Sequence, residues 1–262
     1  MDTAPLLAPQ LEQVWARLDL VMDPELDEPL TDMGFIEAVA ITGSGQVDVS
    51  FRLPTYWCSP NFAFLMAEGI KREIEVLPWV TEAVVTLEDH MAAAEMNAAI
   101  KAGASFASVF AELQPDEDLS ALREKFDQKA FQRRQEVVIK ALKEQGHTVA
   151  AIVAMTRTAL ESVVFADPDA ARQQARYLTL LRSKDLAPFP FSPALTDWHG
   201  TPLTEAGFAT YMGLLRSVRI NMEFSGSLCR GLKQSRYKEA DLSGAVPVLV
   251  DFATHQPAHA CR

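Results

Sequence analysis

The chain has 262 residues, of which 48% are hydrophobic, so it is long and apolar enough to fold into one large or two small domains. Its net charge of −11 is unevenly divided: residues 1–114 hold 18 acidic and 5 basic side chains, whereas residues 115–262 hold 17 and 19. This composition excludes wholesale disorder, and the acidic first part argues against a nucleic-acid partner because phosphate neutralisation needs clustered cations.

The ends of the chain and its cysteines indicate a compartment. No apolar run approaches the roughly 18 residues of a membrane span, and the N-terminus lacks a basic segment followed by an apolar one. We therefore expect neither a membrane partner nor a signal peptide. Three cysteines do not resemble a disulfide framework, which predicts a cytoplasmic protein.

Helical and strand-like patterns alternate over the first hundred residues. Leu11, Val14 and Leu18 are spaced as on one helix face, and Val47 and Phe51 belong to a run that alternates as in a half-buried strand. The predicted order is helix 9–21, acidic loop 22–34, strands 35–41 and 46–53, helix 59–77, strand 80–87 and helix 91–103. This order predicts an α+β domain with a three-stranded mixed sheet and helices on one face.

The remainder of the chain is predicted to be mainly α-helical, with a proline-rich connector. Helical patterns cover 116–146, 147–165, 167–185 and 201–224, the connector is 187–195, and 245–252 resembles a terminal strand. We therefore predict two domains, 1–112 and 113–262. The basic stretch 230–238 predicts a solvated face, and the alternative is a docking surface for an acidic partner or for the acidic first part.

Cys58 stands where the second hairpin strand ends and the next helix begins, with Pro60 suited to the first helical turn. Unpaired N–H groups and the helix dipole at such a start favour a thiolate, which is the form that binds metals or attacks sulfur. Thr55 is placed to donate a hydrogen bond to that sulfur. The alternative is a buried structural cysteine, which is common.

Carboxylates and a histidine are the other ligand types expected near this corner. The acidic loop contains Asp23, Glu25, Asp27, Glu28 and Asp32. Such carboxylates ligate iron or other divalent metals, and the alternative is turn and capping chemistry. His90 follows the third strand, so it is a candidate metal ligand, and the alternative is a packed or surface histidine beside a capping Asp.

The sequence around the other two cysteines is less specific for a function. Cys229 lies among arginines and lysines, which favour a reactive thiol, but we predict a packed and inert side chain. His255, His259 and Cys261 have ligand-like spacing near the chain end, where such residues are freely tolerated and no metal site is expected.

The motifs together carry a resemblance. Asp23-Pro24-Glu25-Leu26, Asp32 to Gly34, Thr55-Tyr56-Trp57-Cys58 and Ala83 to Leu87 follow one another at characteristic spacing. In order and spacing, residues 9–100 resemble the PaaD/SufT-type domain that is associated with iron–sulfur cluster assembly. One departure is Ser59, which separates Cys58 from Pro60 where the family usually has proline directly after the cysteine.

The resemblance implies a maturation factor with a labile site. Cys58, Glu25 and His90 are the expected metal ligands, and Thr55 and Asp23 line the same corner. The implied cargo is iron or an iron–sulfur cluster, held transiently. The implied partners are iron–sulfur assembly machinery or a client metalloenzyme, for which a bacterial multicomponent oxygenase is the candidate.

Alternative functions stay open at this stage. A non-catalytic adaptor or chaperone would keep the fold and leave Cys58 structural, and a cysteine-dependent enzyme would use Cys58 with His90. ATP-driven transfer within the chain is not expected, since the sequence has no G-x-x-x-x-G-K-[ST] motif. A homodimer that shares a metal is a further expectation, because one chain supplies few soft ligands.

Overall fold

The computed structural model describes residues 4–110, 119–236, 238–241 and 248–251. The chain forms two compact units, one from the residues up to Ala121 together with those from Ser225 onward, the other from Leu122–Phe224. The domain boundary predicted at 112–113 falls within 111–118, which lie outside the described residues. The predicted pattern of an α+β front part followed by a mainly helical part is confirmed.

The first unit begins with an alternation of helices and strands. In chain order these are α1 (Ala4–Leu18), β1 (Met22–Asp23), β2 (Glu28–Pro29), β3 (Ile36–Ile41), β4 (Gln46–Arg52), α2 (Pro60–Glu75), β5 (Glu82–Glu88), α3 (Ala93–Ala102) and α4 (Phe106–Phe110). The order matches the prediction, and the additional strands β1 and β2 form a two-residue antiparallel pair within the predicted acidic loop.

The later elements are mainly helices. They are α5 (Leu119–Glu144), α6 (Val149–Val153), α7 (Arg157–Glu161), α8 (Pro168–Ser183) and α9 (Glu205–Arg236), followed by β6 (Lys238–Asp241) and β7 (Val248–Asp251), which pair antiparallel. The predicted terminal strand is therefore present as β7. Helix α9 contributes its residues up to Phe224 to the second unit and its last three turns to the first.

A three-stranded mixed sheet organises the first unit. The strand order is β3-β4-β5, with β3 antiparallel and β5 parallel to β4. The parallel register places Gln46 opposite Glu82 and Arg52 opposite Glu88. A parallel pair needs a crossover connection, and α2 provides it.

One face of this sheet is buried. Strands β4 and β5 each bury alternate residues, as a period of two on a half-covered sheet requires. The fully or nearly fully buried side chains of this layer include Val47, Val49, Phe51, Leu87, Met66, Ile70 and Ile74. In α1, Val14 and Leu18 are fully buried as predicted, whereas Leu11 is 37% exposed, so the apolar stripe of this helix is narrower than its spacing indicates.

The second unit has its own helical core. Its most deeply buried side chains include Phe131, Val138, Ile139, Leu142, Ile152, Leu160, Tyr177, Leu181 and Leu215. A polar network crosses this core: the Gln135 Nε2 donates to the Tyr177 hydroxyl and to the Thr196 carbonyl, both at 2.7 Å. Such bonds satisfy polar groups that are costly to bury alone.

None of the helices in the described ranges combines the length and the apolar character needed to cross a bilayer.

Gly45 is the hairpin-turn position where a side chain should be least tolerated. Its φ is +85°, and a Cβ there would lie 2.6 Å from the Trp79 carbonyl oxygen. Gly45→Ala should therefore lower the free energy of unfolding by about 2 kcal/mol, because it adds backbone strain and a steric clash. Urea unfolding followed by circular dichroism measures the loss.

Gly43→Ala is the matched control, since a Cβ at Gly43 would have no atom of the described residues within 4 Å. We expect this variant to unfold within about 0.5 kcal/mol of the unmodified chain, as surface substitutions usually do. Equal losses in the two variants would contradict the steric explanation.

Candidate functional site

The loops that follow β4 and β5 meet at one edge of the sheet. Neighbouring parallel strands end at the same edge, so the segments after Arg52 and Glu88 start side by side. The Met91 N–H donates to the Tyr56 carbonyl at 2.8 Å. The corner that the sequence predicted for Cys58 and His90 is therefore present.

Cys58 lies in the loop between β4 and α2 and is half-buried. Its backbone N–H donates to the Thr55 carbonyl at 3.4 Å, and its Sγ lies 3.1 Å from the Thr55 Oγ1, as the sequence predicted. Either atom can donate in that contact while the sulfur is a thiol. The Thr55 hydroxyl can therefore serve as a donor to this sulfur.

Helix α2 begins at Pro60, with Ser59 as its N-cap residue. Cys58 is therefore one residue outside the cap, which increases its distance from the helix end compared with a cysteine directly before proline. Ser59 makes no side-chain capping hydrogen bond within the described part of the chain. The helix dipole acts mainly over the first turn, so it attracts negative charge less strongly at Cys58 than at the N-cap residue.

His90 holds the Cys58 loop through its ring. The ring is only 4% exposed, and its Nδ1 accepts a hydrogen bond from the Ala92 N–H at 3.2 Å. The proton of the neutral ring is thus on Nε2, which donates to the Cys58 carbonyl at 2.7 Å. Metal binding or general-base action by His90 would require the loss of one of these bonds, and its role as a ligand stays a prediction.

We expect His90→Phe to destabilise the first unit and loosen the Cys58 loop. The change removes both ring hydrogen bonds and leaves a buried carbonyl and N–H to find other partners. The free energy of unfolding should fall by about 2 kcal/mol, and iodoacetamide should alkylate Cys58 faster. The exposed His199 provides the control His199→Phe, which should change neither quantity; equal behaviour of the two variants would contradict this role.

Asp23 closes the turn that precedes the site. Its Oδ1 accepts hydrogen bonds from the Glu25 N–H at 2.9 Å and the Leu26 N–H at 3.0 Å. The turn chemistry that the sequence left as the alternative is thus present for Asp23. The side chain is 7% exposed, and burial raises its pKa to about 6, against the two backbone hydrogen bonds and with the Glu25 and Glu28 charges adding to the rise.

The raised pKa of Asp23 predicts a pH-dependent stability. Because the folded state holds this proton more tightly than the unfolded chain, the charged form costs stability above about pH 6, and the cost disappears as the pH falls towards 4. Asp23→Asn keeps the acceptor Oδ1 and removes the charge. At pH 8 the free energy of unfolding of the variant should be about 2 to 3 kcal/mol higher than that of the unmodified chain. Near pH 4 the two free energies should be equal.

Chemical denaturation at the two pH values measures this difference. The exposed Asp32 lies in the same loop, and Asp32→Asn is the control that should change stability little at either pH. An Asp23→Asn variant that is less stable than the unmodified chain at pH 8 would show that the carboxylate charge is favourable there.

The last three turns of α9 pack on this acidic corner. Arg230 Nη1 lies 2.5 Å from Glu28 Oε2, and Arg236 Nη2 lies 2.6 Å from Asp89 Oδ2. Lys233 contacts the Gly34 carbonyl and lies 2.8 Å from Glu37. The prediction of a solvated face for the basic stretch is wrong for these three side chains, and its alternative, docking on the acidic first part, is the observed arrangement.

For Cys229 the sequence predicts a packed and inert side chain on a helix. It lies on the docked part of α9 and is half-buried. Burial raises its pKa to about 11, the charges of Asp23, Cys58 and Glu25 add to the rise, and Arg230 opposes it.

The structure brings Thr55, Cys58 and His90 together. Asp23 and Glu25 share the turn between β1 and β2, and their role beside Cys58 stays a prediction. Within the described ranges, no three side chains from His, Cys, Asp and Glu are grouped closely enough to hold a metal ion. His255, His259 and Cys261 lie outside the described residues.

Residues 11–85 match the family model described as iron–sulfur cluster assembly protein. The match contains Asp23, Glu25, Thr55 and Cys58, and it ends before His90 and Cys229. Comparisons with curated proteins and with solved structures find no match. The front of the chain is thus similar to iron–sulfur cluster assembly proteins, in agreement with the resemblance, and this supports a role in iron–sulfur cluster assembly.

Proposed function

We propose that the protein is an accessory factor that holds iron or an iron–sulfur cluster transiently at Cys58 and passes it to a client metalloenzyme. The observation that carries the proposal is the half-buried Cys58 thiol at the strand–helix corner of a domain that matches the iron–sulfur assembly family. A reducing cytoplasm would suit this function, because it keeps thiols free.

The residues around Cys58 have separate tasks in this proposal. The thiolate is the ligand for the cargo, since the thiolate rather than the thiol binds metals. The Thr55 hydroxyl donates to the sulfur, and His90 fixes the loop through the Cys58 carbonyl. Glu25 and Asp23 are proposed to face the cargo, although Asp23 also maintains its turn.

A site of this composition suits transfer rather than storage. Permanent structural metal sites usually supply about four protein ligands. One thiolate assisted by carboxylates supplies fewer strong ligands, so the cargo exchanges more readily onto a client with a complete set.

Exposed apolar side chains adjoin Cys58 and suit a client surface. Trp57 is 72% exposed, Met91 48% and Tyr56 45%, and the backbones of Met91 and Tyr56 are hydrogen-bonded. Aromatic and Met side chains are enriched at protein interfaces. We propose that the client or the assembly machinery contacts these side chains, and we carry a bacterial multicomponent oxygenase as the candidate client.

The second candidate is a non-catalytic adaptor in which Cys58 is structural. The same exposed Trp57 and Tyr56 favour it, because a client surface can work without any chemistry at the neighbouring thiol. The two candidates differ in whether the Cys58 sulfur is needed.

We expect Cys58→Ala to lose cargo binding. The chain is purified without oxygen and incubated with ferrous iron, sulfide and a thiol reductant, then desalted and analysed for iron and sulfide. Bound iron should fall at least about tenfold in the variant, since tenfold corresponds to only about 1.4 kcal/mol of binding free energy and the variant lacks the strongest ligand. An apo-ferredoxin then serves as the recipient that reports transfer.

Ser59→Ala is the matched control, because it changes the neighbouring side chain, which makes no capping bond among the described residues. It should bind and transfer as the unmodified chain does. Wild-type iron and sulfide in Cys58→Ala would overturn the proposal. Client activation that persists in a Cys58→Ala chain without bound iron would instead establish the adaptor.

A further inference from the structure

Strand β5 lies at one edge of the three-stranded sheet, because the strand order is β3-β4-β5. The backbone of β4 determines which residues of β5 face away from the sheet. The Arg52 N–H donates to the Phe35 carbonyl at 2.9 Å, so Arg52 faces the β3 side, and its neighbour Phe51 faces β5. In a parallel pair only one of two opposite residues bonds across, so Leu87, opposite Phe51, faces outward.

A side chain of α3 confirms this direction. The Asn97 Oδ1 accepts a hydrogen bond from the Leu87 N–H at 2.8 Å, and its Nδ2 donates to the Leu87 carbonyl at 3.0 Å. A residue of a neighbouring antiparallel strand makes the same two bonds. The Asn97 carboxamide therefore takes, at Leu87, the place of a residue in a fourth strand.

Ala83 and Val85 face the same way as Leu87, because backbone directions repeat every two residues along a strand. Neither residue has a hydrogen bond to a loop, a helix or a side chain in the described ranges. Their outward N–H and C=O groups are therefore unpaired within that part of the chain. Such a row of free groups is a template for another strand, and Asn97 ends it at Leu87.

A cleft of about 160 Å³ borders the same edge. Its lining includes residues 82–86 of β5, Lys71 of α2 and Ile100 of α3. The Lys71 Nζ donates to the Ile100 carbonyl at 2.8 Å, so these helices are joined at the wall of the cleft. A space of this size admits a small aliphatic side chain, since a cavity of about 150 Å³ binds benzene. An added strand would point alternate side chains to this side, as β5 does with Ala83 and Val85.

We propose that the edge of β5 binds an extended segment of a partner protein as an added antiparallel strand, through the N–H and C=O groups of Ala83 and Val85. Four main-chain hydrogen bonds would form, two at each residue, and antiparallel pairs are the more stable per residue. The partner segment needs alternate residues other than proline, with small aliphatic side chains that enter the cleft. The inference goes beyond the proposed function and does not depend on Cys58.

A single extended segment fits this edge better than a second copy of the chain. Because Asn97 bonds to the β5 edge, α3 lies beside that edge. Two copies paired edge to edge would bring both α3 helices to the same place, whereas a peptide segment carries no such helix. Self-association through β5 is therefore an outcome that counts against the proposal.

Amide exchange of the unmodified, isotope-labelled chain tests the premise by nuclear magnetic resonance. The Ala83 and Val85 amides should exchange at least about tenfold faster than the Val84 amide, which faces β4. The Leu87 amide should be protected, because it is bonded to Asn97. Equal protection of all four amides would show that the edge is already covered, and the inference would then be wrong.

The binding probe is the N-acetylated, C-amidated peptide Thr-Val-Thr-Val-Thr, added up to about 1 mM, where even a Kd in that range shifts the signals. The Ala83 and Val85 amide signals should move, and their exchange should slow. A peptide methylated on both valine nitrogens lacks the N–H donors and should bind at least about tenfold more weakly. Unshifted signals with the first peptide, or equal binding of the methylated one, would overturn the inference.

Variants of the chain locate the site. Val85→Pro removes one outward N–H, and proline is compatible with an edge strand whose N–H points to solvent. It should bind the peptide at least about tenfold more weakly, whereas Val85→Ala keeps the N–H and should bind as the unmodified chain does. Circular dichroism and thermal unfolding establish that each variant is folded, and the comparison of the two peptides needs no variant. Undiminished binding by Val85→Pro, or self-association that this variant abolishes, would contradict the proposal.

Discussion

The parallel pairing of β4 with β5 is the constraint on which the candidate site depends. Burial of alternate side chains on one face fixes its register, and Arg52 and Glu88, opposite each other at its end, also form an ion pair at 2.6 Å. Since the crossover α2 must start at that same end, the Cys58 loop and the His90 loop have to meet there. Their hydrogen bond is a consequence of topology, and local sequence preference would not produce it.

Complementary charge makes the second contribution. The first part of the chain carries a large excess of carboxylates, and the end of α9 supplies three cations that pair with them. Exposed ion pairs contribute little singly, but Lys233 and Glu37 are both mostly buried, and such pairs are screened less by solvent. Gly226 and Gly231 each lower the intrinsic stability of the helix by about 1 kcal/mol. The ion pairs with the acidic first part therefore help to keep this segment helical, and the helix in turn holds the cations in place.

Asp23 shows a conflict between stability and chemistry at the corner. Its carboxylate closes a tight turn, yet burial disfavours its charge, so an uncharged side chain would serve the turn equally well. Buried ionisable groups with shifted pKa values are frequent at functional sites. Asp23 is therefore a candidate functional carboxylate whose burial costs folding stability.

The sequence by itself determined the elements of the first unit, the α+β class and the candidate role of Cys58, because strand alternation, helical spacing and turn residues are local signals. It also indicated Thr55 as the partner of the sulfur, three residues away. It did not determine that α9 continues to Arg236, since glycines and serines in that segment weaken the helical pattern. Only the tertiary structure decided that the basic stretch docks on the acidic first part, because this docking depends on contacts between residues about 150 to 200 positions apart, for which local patterns carry no information.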